Sequence, residues 1–148
     1  MLRIAFVFLA FLLPCSVANA SLLSWQEVWD RCAGPDDDTG IKACTILIQA
    51  GTETTGNLAT AYYNRGWHHA AKGDETKAID DYTRALEIDH DYADALESRG
   101  HAYKRLGKMD LAIADFDRVL ELKPGDPSVL KARKQCNCGE KMSQGRAL

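Results

Sequence analysis

The chain repeats itself. Ala59–Tyr92 slides onto Ala93–Asp126 with eleven identities at a spacing of 34 residues: Ala59/Ala93, Ala61/Ala95, Arg65/Arg99, Gly66/Gly100, Gly73/Gly107, Ala78/Ala112, Ile79/Ile113, Asp81/Asp115, Arg84/Arg118, Leu86/Leu120 and Glu87/Glu121. A fixed period of roughly 20–50 residues confines a chain to stacked units, each of which buries its face only against a neighbour. The kept positions describe the unit. Ala59, Tyr62 and Gly66, then Ala93, Leu96 and Gly100, fall on one face of a first helix. Ala78, Tyr82 and Ala85, then Ala112, Phe116 and Val119, fall on one face of a second. Gly73 and Gly107 stand between the two, where a sharp turn asks for glycine. Small residues at Gly66, Gly100, Ala78 and Ala112 let two backbones approach, and the ring at Tyr82 or Phe116 fills the space beside them. The unit is an antiparallel helix hairpin.

These residues resemble the tetratricopeptide repeat family, through Ala-Tyr-Tyr-Asn-Arg-Gly, Gly-Asp, Ala-Ile, Tyr and Ala-Leu-Glu-Ile-Asp in the first copy and the matching run to Leu-Glu-Leu-Lys-Pro in the second. The large residue of the first helix is Tyr62 and then Leu96 rather than Trp, Arg65 and Arg99 replace the usual Leu, and His90 replaces the proline that Pro124 supplies. The resemblance implies an all-α fold, a right-handed α-solenoid of helix hairpins closed by a C-terminal capping helix. It also implies a non-enzymatic interaction module that holds a peptide or a partner helix in a concave groove lined by the first helices. The inward positions are then Thr60, Tyr63, Asn64, Trp67, Ala70 and Ala71 in one unit and Asp94, Glu97, Ser98, His101, Lys104 and Arg105 in the next. They differ between the copies while the packing positions agree, as a variable binding face on a fixed scaffold would. Partner contact is expected at Tyr63, Asn64, Trp67, Asp94, Glu97, His101, Lys104 and Arg105. Tyr63 and Trp67, one turn apart, would make an aromatic platform, and Lys104 and Arg105 could meet a carboxylate. Some family members clamp a peptide's terminal carboxylate with Lys, Asn and Arg. This chain has Tyr63, Trp67, Ser98, Ser128 and Ala132 at those positions, so the clamp is absent.

The first twenty residues read as a secretory signal peptide: Met1-Leu2-Arg3, an apolar run from Ile4 to Leu13, and Ala18-Asn19-Ala20 as the cleavage site. The apolar run is short for a membrane span, and Pro14 before Cys15 argues against a lipoprotein site. The chain is therefore expected to be exported, periplasmic or secreted. It carries 18 Lys and Arg against 21 Asp and Glu, a formal net charge of −3, and loss of Arg3 with the leader makes it more acidic. That balance offers no basic footprint for nucleic acid and no polybasic patch for anionic lipid. No membrane insertion is expected once the signal is cut, and no cofactor.

Residues 21–56 read as a degenerate first helix pair with a polar loop. Trp25, Val28, Trp29 and Cys32 form a stripe on Ser21–Ala33, and Gly34-Pro35 ends it. Thr39–Ala50 returns as a second helix. Its alignment with Lys77–Thr83, 38 residues on, puts Cys44 where the packing ring later stands. Asn57 is the expected N-cap of the next helix, so the regular units are 57–92 and 93–126. Asp126-Pro127 starts a capping helix over 127–138, followed by a flexible tail over 139–148. The open ends of so short an array allow self-association.

Four cysteines follow the leader. Cys32 and Cys44 flank the Asp36-Asp37-Asp38 turn and suit a disulfide. Cys136 and Cys138 form a Cys-x-Cys pair open to three readings: a bonded pair tying down the last helix, a soft-metal chelate, or a redox pair. The last two support an alternative function, a small redox or metal-handling factor. Two thiolates do not complete a zinc site. The Asp run lacks the alternation of a calcium loop and reads as a solvated turn. Of His68 and His69, His69 takes the packing slot of Tyr103.

Overall fold

The computed structural model describes residues 24–144 other than Asp36, with side chains described to Asn137. Residues 1–23, and with them the expected signal peptide, Asp36 and residues 145–148 lie outside the described residues. Among the described residues seven helices run in order: α1 (Trp25–Cys32), α2 (Asp37–Ala50), α3 (Thr55–Ala71), α4 (Glu75–Ile88), α5 (Ala93–Arg105), α6 (Met109–Leu122) and α7 (Pro127–Gln144). Each packs on the next, and the odd-numbered helices also touch one another in succession (α1 with α3, α3 with α5, α5 with α7). The stack is therefore a solenoid whose first helices form one shared wall.

Side-chain caps set the starts of α1, α3, α4 and α7, while α5 and α6 start without one. Ser24 accepts from the Glu27 N–H while Glu27 accepts from the Ser24 N–H, a reciprocal box. Asp74 accepts from Lys77 N–H, and Asp126 accepts from the Ser128 and Val129 N–H groups. The cap of α3 is Thr54, not Asn57: its hydroxyl accepts the Asn57 N–H at 3.3 Å, and α3 starts at Thr55. The side chain of Asn57 is occupied elsewhere, on Glu53 at 2.8 Å. α2 likewise starts early, at Asp37, because two carboxylates in its first turn suit the positive end of the helix. Asp37 and Asp38 are therefore helical rather than turn residues.

Helix ends repeat the 34-residue rule. Gly73 (φ 79°) and Gly107 (φ 74°) take the left-handed conformation, and the following N–H groups close back on His69 O and Tyr103 O, both at 2.9 Å. The last helix departs from expectation. α7 continues to Gln144, through the expected tail, with Gly139 inside it, although a glycine costs a helix interior about 1 kcal/mol against alanine.

Two buried clusters hold the stack. Val28, Cys32, Ala43, Cys44, Leu47 and Ala61 join α1 and α2 to α3. Ala85, Leu86, Ala95, Leu96, Ala112, Phe116, Val119, Val129, Ala132 and Cys136 join α4 to α7. In both regular units glycine meets ring. A Cβ on Gly66 would lie 2.9 Å from Tyr82 Cε1, and one on Gly100 2.8 Å from Phe116 Cε1. The arginines kept between the two copies occupy the same seam. Arg65 forks onto Asp81 (2.9 and 2.6 Å) and reaches back to Thr45 Oγ1 at 3.2 Å. Arg99 forks onto Asp115 (2.9 and 2.7 Å) and reaches back to Thr83 Oγ1 at 3.1 Å. Thr45 and Thr83 are equivalent under the 38-residue offset, so the first pair joins the stack as a true, if degenerate, unit. A third arginine follows at the same period: Arg133 on α7 forks onto Asp117, the residue at the Thr83 position, with Nη2 3.2 Å from Oδ2.

Candidate functional site

The wall made by α1, α3 and α5 is concave and holds cavities in series. One lies between α3 and α5, about 390 Å³, with Trp67, Ala70 and Ala71 on one side, Ser98, His101 and Arg105 on the other, and Tyr82 and Glu75 beneath. A second cavity, about 230 Å³, lies between α3 and the end of α1, lined by Tyr63, Asn64, Trp67 and His68 and by Cys32, Ala33 and Gly34. Trp67 belongs to both. It is 46% exposed, and its register partner 34 residues on is His101, which faces it across the wider cavity.

Each residue of this surface has a stated support. His101 packs edge-on against Phe116, with ring centroids 5.1 Å apart. Burial holds its imidazole below the usual histidine range, although the nearby Glu97 carboxylate, 3.8 Å away, opposes that. Tyr82 fills the seam beneath, and burial pushes its phenol up. Tyr63 is less a free platform than part of a cluster, with ring centroids 5.1 Å from Tyr92 and 5.8 Å from Tyr82. The exposed aromatic surface is therefore Trp67 more than Tyr63. The two cations expected to meet a carboxylate are already engaged. Arg105 forks onto Glu75, with Nη2 2.6 Å from Oε2, and Lys104 donates to Gln135 Oε1 at 2.5 Å. Asp94 pairs with Lys123 at 3.2 Å. Of the eight expected contact residues, Tyr63, Asn64, Trp67, His101 and Arg105 line the two cavities, and Asp94, Glu97 and Lys104 do not.

His68 was not singled out from the sequence and is the most enclosed polar group of this wall, 1% exposed. Nδ1 lies 3.0 Å from Asp37 Oδ1 and Nε2 lies 3.0 Å from the Cys32 carbonyl oxygen. A Cβ on Gly40 would sit 2.1 Å from Nε2, so the ring occupies the space a glycine leaves in α2. That glycine in a helix interior was the available signal, since such a residue marks a close approach. The Asp37 carboxylate is thus part of this junction, and Asp38 pairs with Lys72 beside it. His69 takes a half-buried place 3.9 Å from Asp81, where burial lowers its basicity and Asp81 opposes the change.

Cys32 and Cys44 are fully buried and joined, with an S–S distance of 2.11 Å and a Cα–Cα distance of 4.7 Å. The bond ties α1 to α2 directly under the second cavity. Cys136 is buried in the α4–α7 cluster, a poor position for a metal-handling or redox thiol. The Cys138 side chain lies outside the described residues. Among the described residues no helix is long and apolar enough to cross a membrane.

Residues 68–107 match the family model described as TPR repeat, and residues 93–126 the model described as Tetratricopeptide repeat. DnaJ homolog subfamily C member 3 of Bos taurus is 32% identical over 87 residues, 59% of this chain and 17% of that protein. Serine/threonine-protein phosphatase 5 of Homo sapiens is 33% identical over 60 residues, 40% of this chain and 12% of that protein. The chain thus spans less than a fifth of the length of these curated relatives. Among solved structures, the second TPR domain of human RPAP3 in complex with an HSP70 peptide superposes with a TM-score of 0.62 at 28% identity, covering 68% of this chain and 81% of that one. A crystal structure of MamA protein superposes with a TM-score of 0.70 at 21% identity, covering 82% of this chain and 64% of that one, a likeness of fold alone.

Proposed function

This chain is a tetratricopeptide repeat protein, and we propose that it is a non-enzymatic interaction module of the cell envelope that holds a peptide or partner helix along the α1–α3–α5 wall. The carrying observation is Trp67. A half-exposed indole is set between two cavities, with His101 as its register partner across one of them and the small residues Ala70 and Ala71 beside it. Large aromatics held rigid beside small residues are what interaction hot spots are made of. A solved complex of a similar domain with an HSP70 peptide supports peptide capture as the class of activity. The absent carboxylate clamp and the engaged Arg105 and Lys104 favour an internal segment of the partner over a free C-terminus.

Export to the periplasm or out of the cell rests on the leader sequence and fits the buried Cys32–Cys44 bond. N-terminal sequencing of the isolated protein should read from Ser21; an intact Met1 counts against export. The groove is tested with Trp67→Ala, a surface change that should leave helicity and Tm alone. Capture of the native partner from an envelope extract should fall at least tenfold. Undiminished capture would sink the groove. Tyr63 is a poor companion in that test, since its loss would also unpack Tyr82 and Tyr92.

A further inference from the structure

Past Ala33 the concave wall continues as a third cavity, about 430 Å³, between α1 and the start of α3. Its lining residues are Gln26, Trp29, Asp30, Ala33, Asn57 and Thr60, and each donor group among them makes a hydrogen bond within the protein. The Gln26 amide donates to Asp30 Oδ1 at 2.9 Å. The Asn57 amide donates to Glu53 Oε2 at 2.8 Å, and the Trp29 indole N–H to Glu53 Oε1 at 3.3 Å. The Thr60 hydroxyl donates to the Gly56 carbonyl at 3.0 Å. Each amide thereby engages one N–H within the protein and keeps its oxygen as an acceptor. What the cavity offers a guest is therefore the oxygens of Gln26 and Asn57, the Asp30 carboxylate, the lone pairs of Thr60 and the face of Trp29.

That set is complementary to one kind of group. A guanidinium brings five donors in a plane, a positive charge for Asp30 and a flat surface for the indole. A carboxylate would meet acceptors and a like charge. We infer that this cavity takes an arginine side chain of the partner polypeptide, so that the segment bound along the wall carries a basic residue at its α1 end. The inference rests on the groove reading, because Ala33 is shared with the second cavity and Trp67 links that one to the third helix pair. It reverses the charge sense of a carboxylate-clamping groove, in agreement with Arg105 and Lys104 being bound within the protein.

The test uses the three indole N–H resonances of the intact protein, from Trp25, Trp29 and Trp67, in ¹⁵N NMR. The probes are two blocked tripeptides, acetyl-Ala-Arg-Ala-amide and its counterpart with citrulline, the uncharged isostere of arginine. The arginine peptide should shift Trp29 with an apparent affinity at least fivefold above the citrulline peptide. Asp30→Asn, an exposed change, should erase that difference with Tm unmoved. Equal titration by both peptides, or an Asp30→Asn protein that keeps the preference, overturns the inference. So does a Trp29 shift with maltotriose and none with arginine, which would make the cavity a saccharide site. Partner capture that depends on Trp67 while Trp29 ignores arginine refutes this inference and spares the groove. An arginine-responsive Trp29 with Trp67-independent capture refutes the groove alone.

Discussion

Arg65 carries its charge into a seam that the rest of the unit fills with alanines and rings. It is tolerable there because Asp81, 7% exposed at its side chain, accepts two of its N–H groups and Thr45 a third. Hydrogen bonding to Asp81 holds the guanidinium charged against the desolvation that opposes it. Arg65→Leu installs the residue common in related repeats but strands a buried carboxylate, which costs about 3–5 kcal/mol. Adding Asp81→Ala should restore most of it, and urea denaturation of the two variants measures both. A second prediction concerns acid. Burial depresses His69 and His101 below their ordinary value, so the unfolded chain takes up protons first as pH falls. The stability from these neutral rings is complete above about pH 6.5 and is lost as pH drops through their lower folded values. Tm should decline below that point, and a His69→Gln, His101→Asn double variant should flatten the decline. At this scale the sequence was most informative where the period held. Arg65, Asp81, Gly66 and Tyr82 could be paired with their copies by eye. His68 could not, because its partners Asp37, Gly40 and Cys32 lie in the pair that breaks the period.

Among the elements, α1 depends most on covalent help. It is an eight-residue helix with only Val28 and Cys32 buried, and helices that short are marginal on their own. Three devices hold it: the bond to Cys44, the His68 contact with the Cys32 carbonyl, and Glu53, which accepts from both Trp25 and Trp29. Those indole bonds, with Asn57, keep the Glu53 carboxyl below its usual range in spite of the desolvation that pushes the other way. A crosslink closing a loop of this size contributes about 3 kcal/mol in the chain-entropy model. Reduction, or a Cys32→Ser, Cys44→Ser double variant, should therefore lower Tm and speed hydrogen exchange in α1 and α2 before α4–α7. Uniform exchange across the chain would show that the bond supports nothing local. The boundaries of α2, α3 and α7 were the least legible. Asp37, Thr54 and Asn57 are all acceptable caps by type, and only tertiary contacts decide which of them is used; Gly139 is a helix breaker by propensity, yet α7 runs through it.

Across the whole molecule the arginines at 65, 99 and 133 make one ladder, each reaching back to the preceding pair. α7 is thereby the first helix of a fourth unit in register, and two of its positions depart from the pattern. Leu130 occupies the place of buried Leu96 but is 47% exposed. Lys134 occupies the place of Gly66 and Gly100, where a single added carbon would already strike the ring of the second helix. Lys134→Gly should thus raise the tendency to self-associate, read as a rise in weight-average mass by light scattering at high protein concentration. An unchanged mass would mean that the leucine alone is too small a patch.

Lys134 also bears on how such a molecule behaves when crowded. A head-to-tail contact that does not close on itself can propagate without limit into a fibre. An ammonium on a flexible stem, set where the next helix of another copy would have to pack, places a charge in the path of that growth at the α7 end.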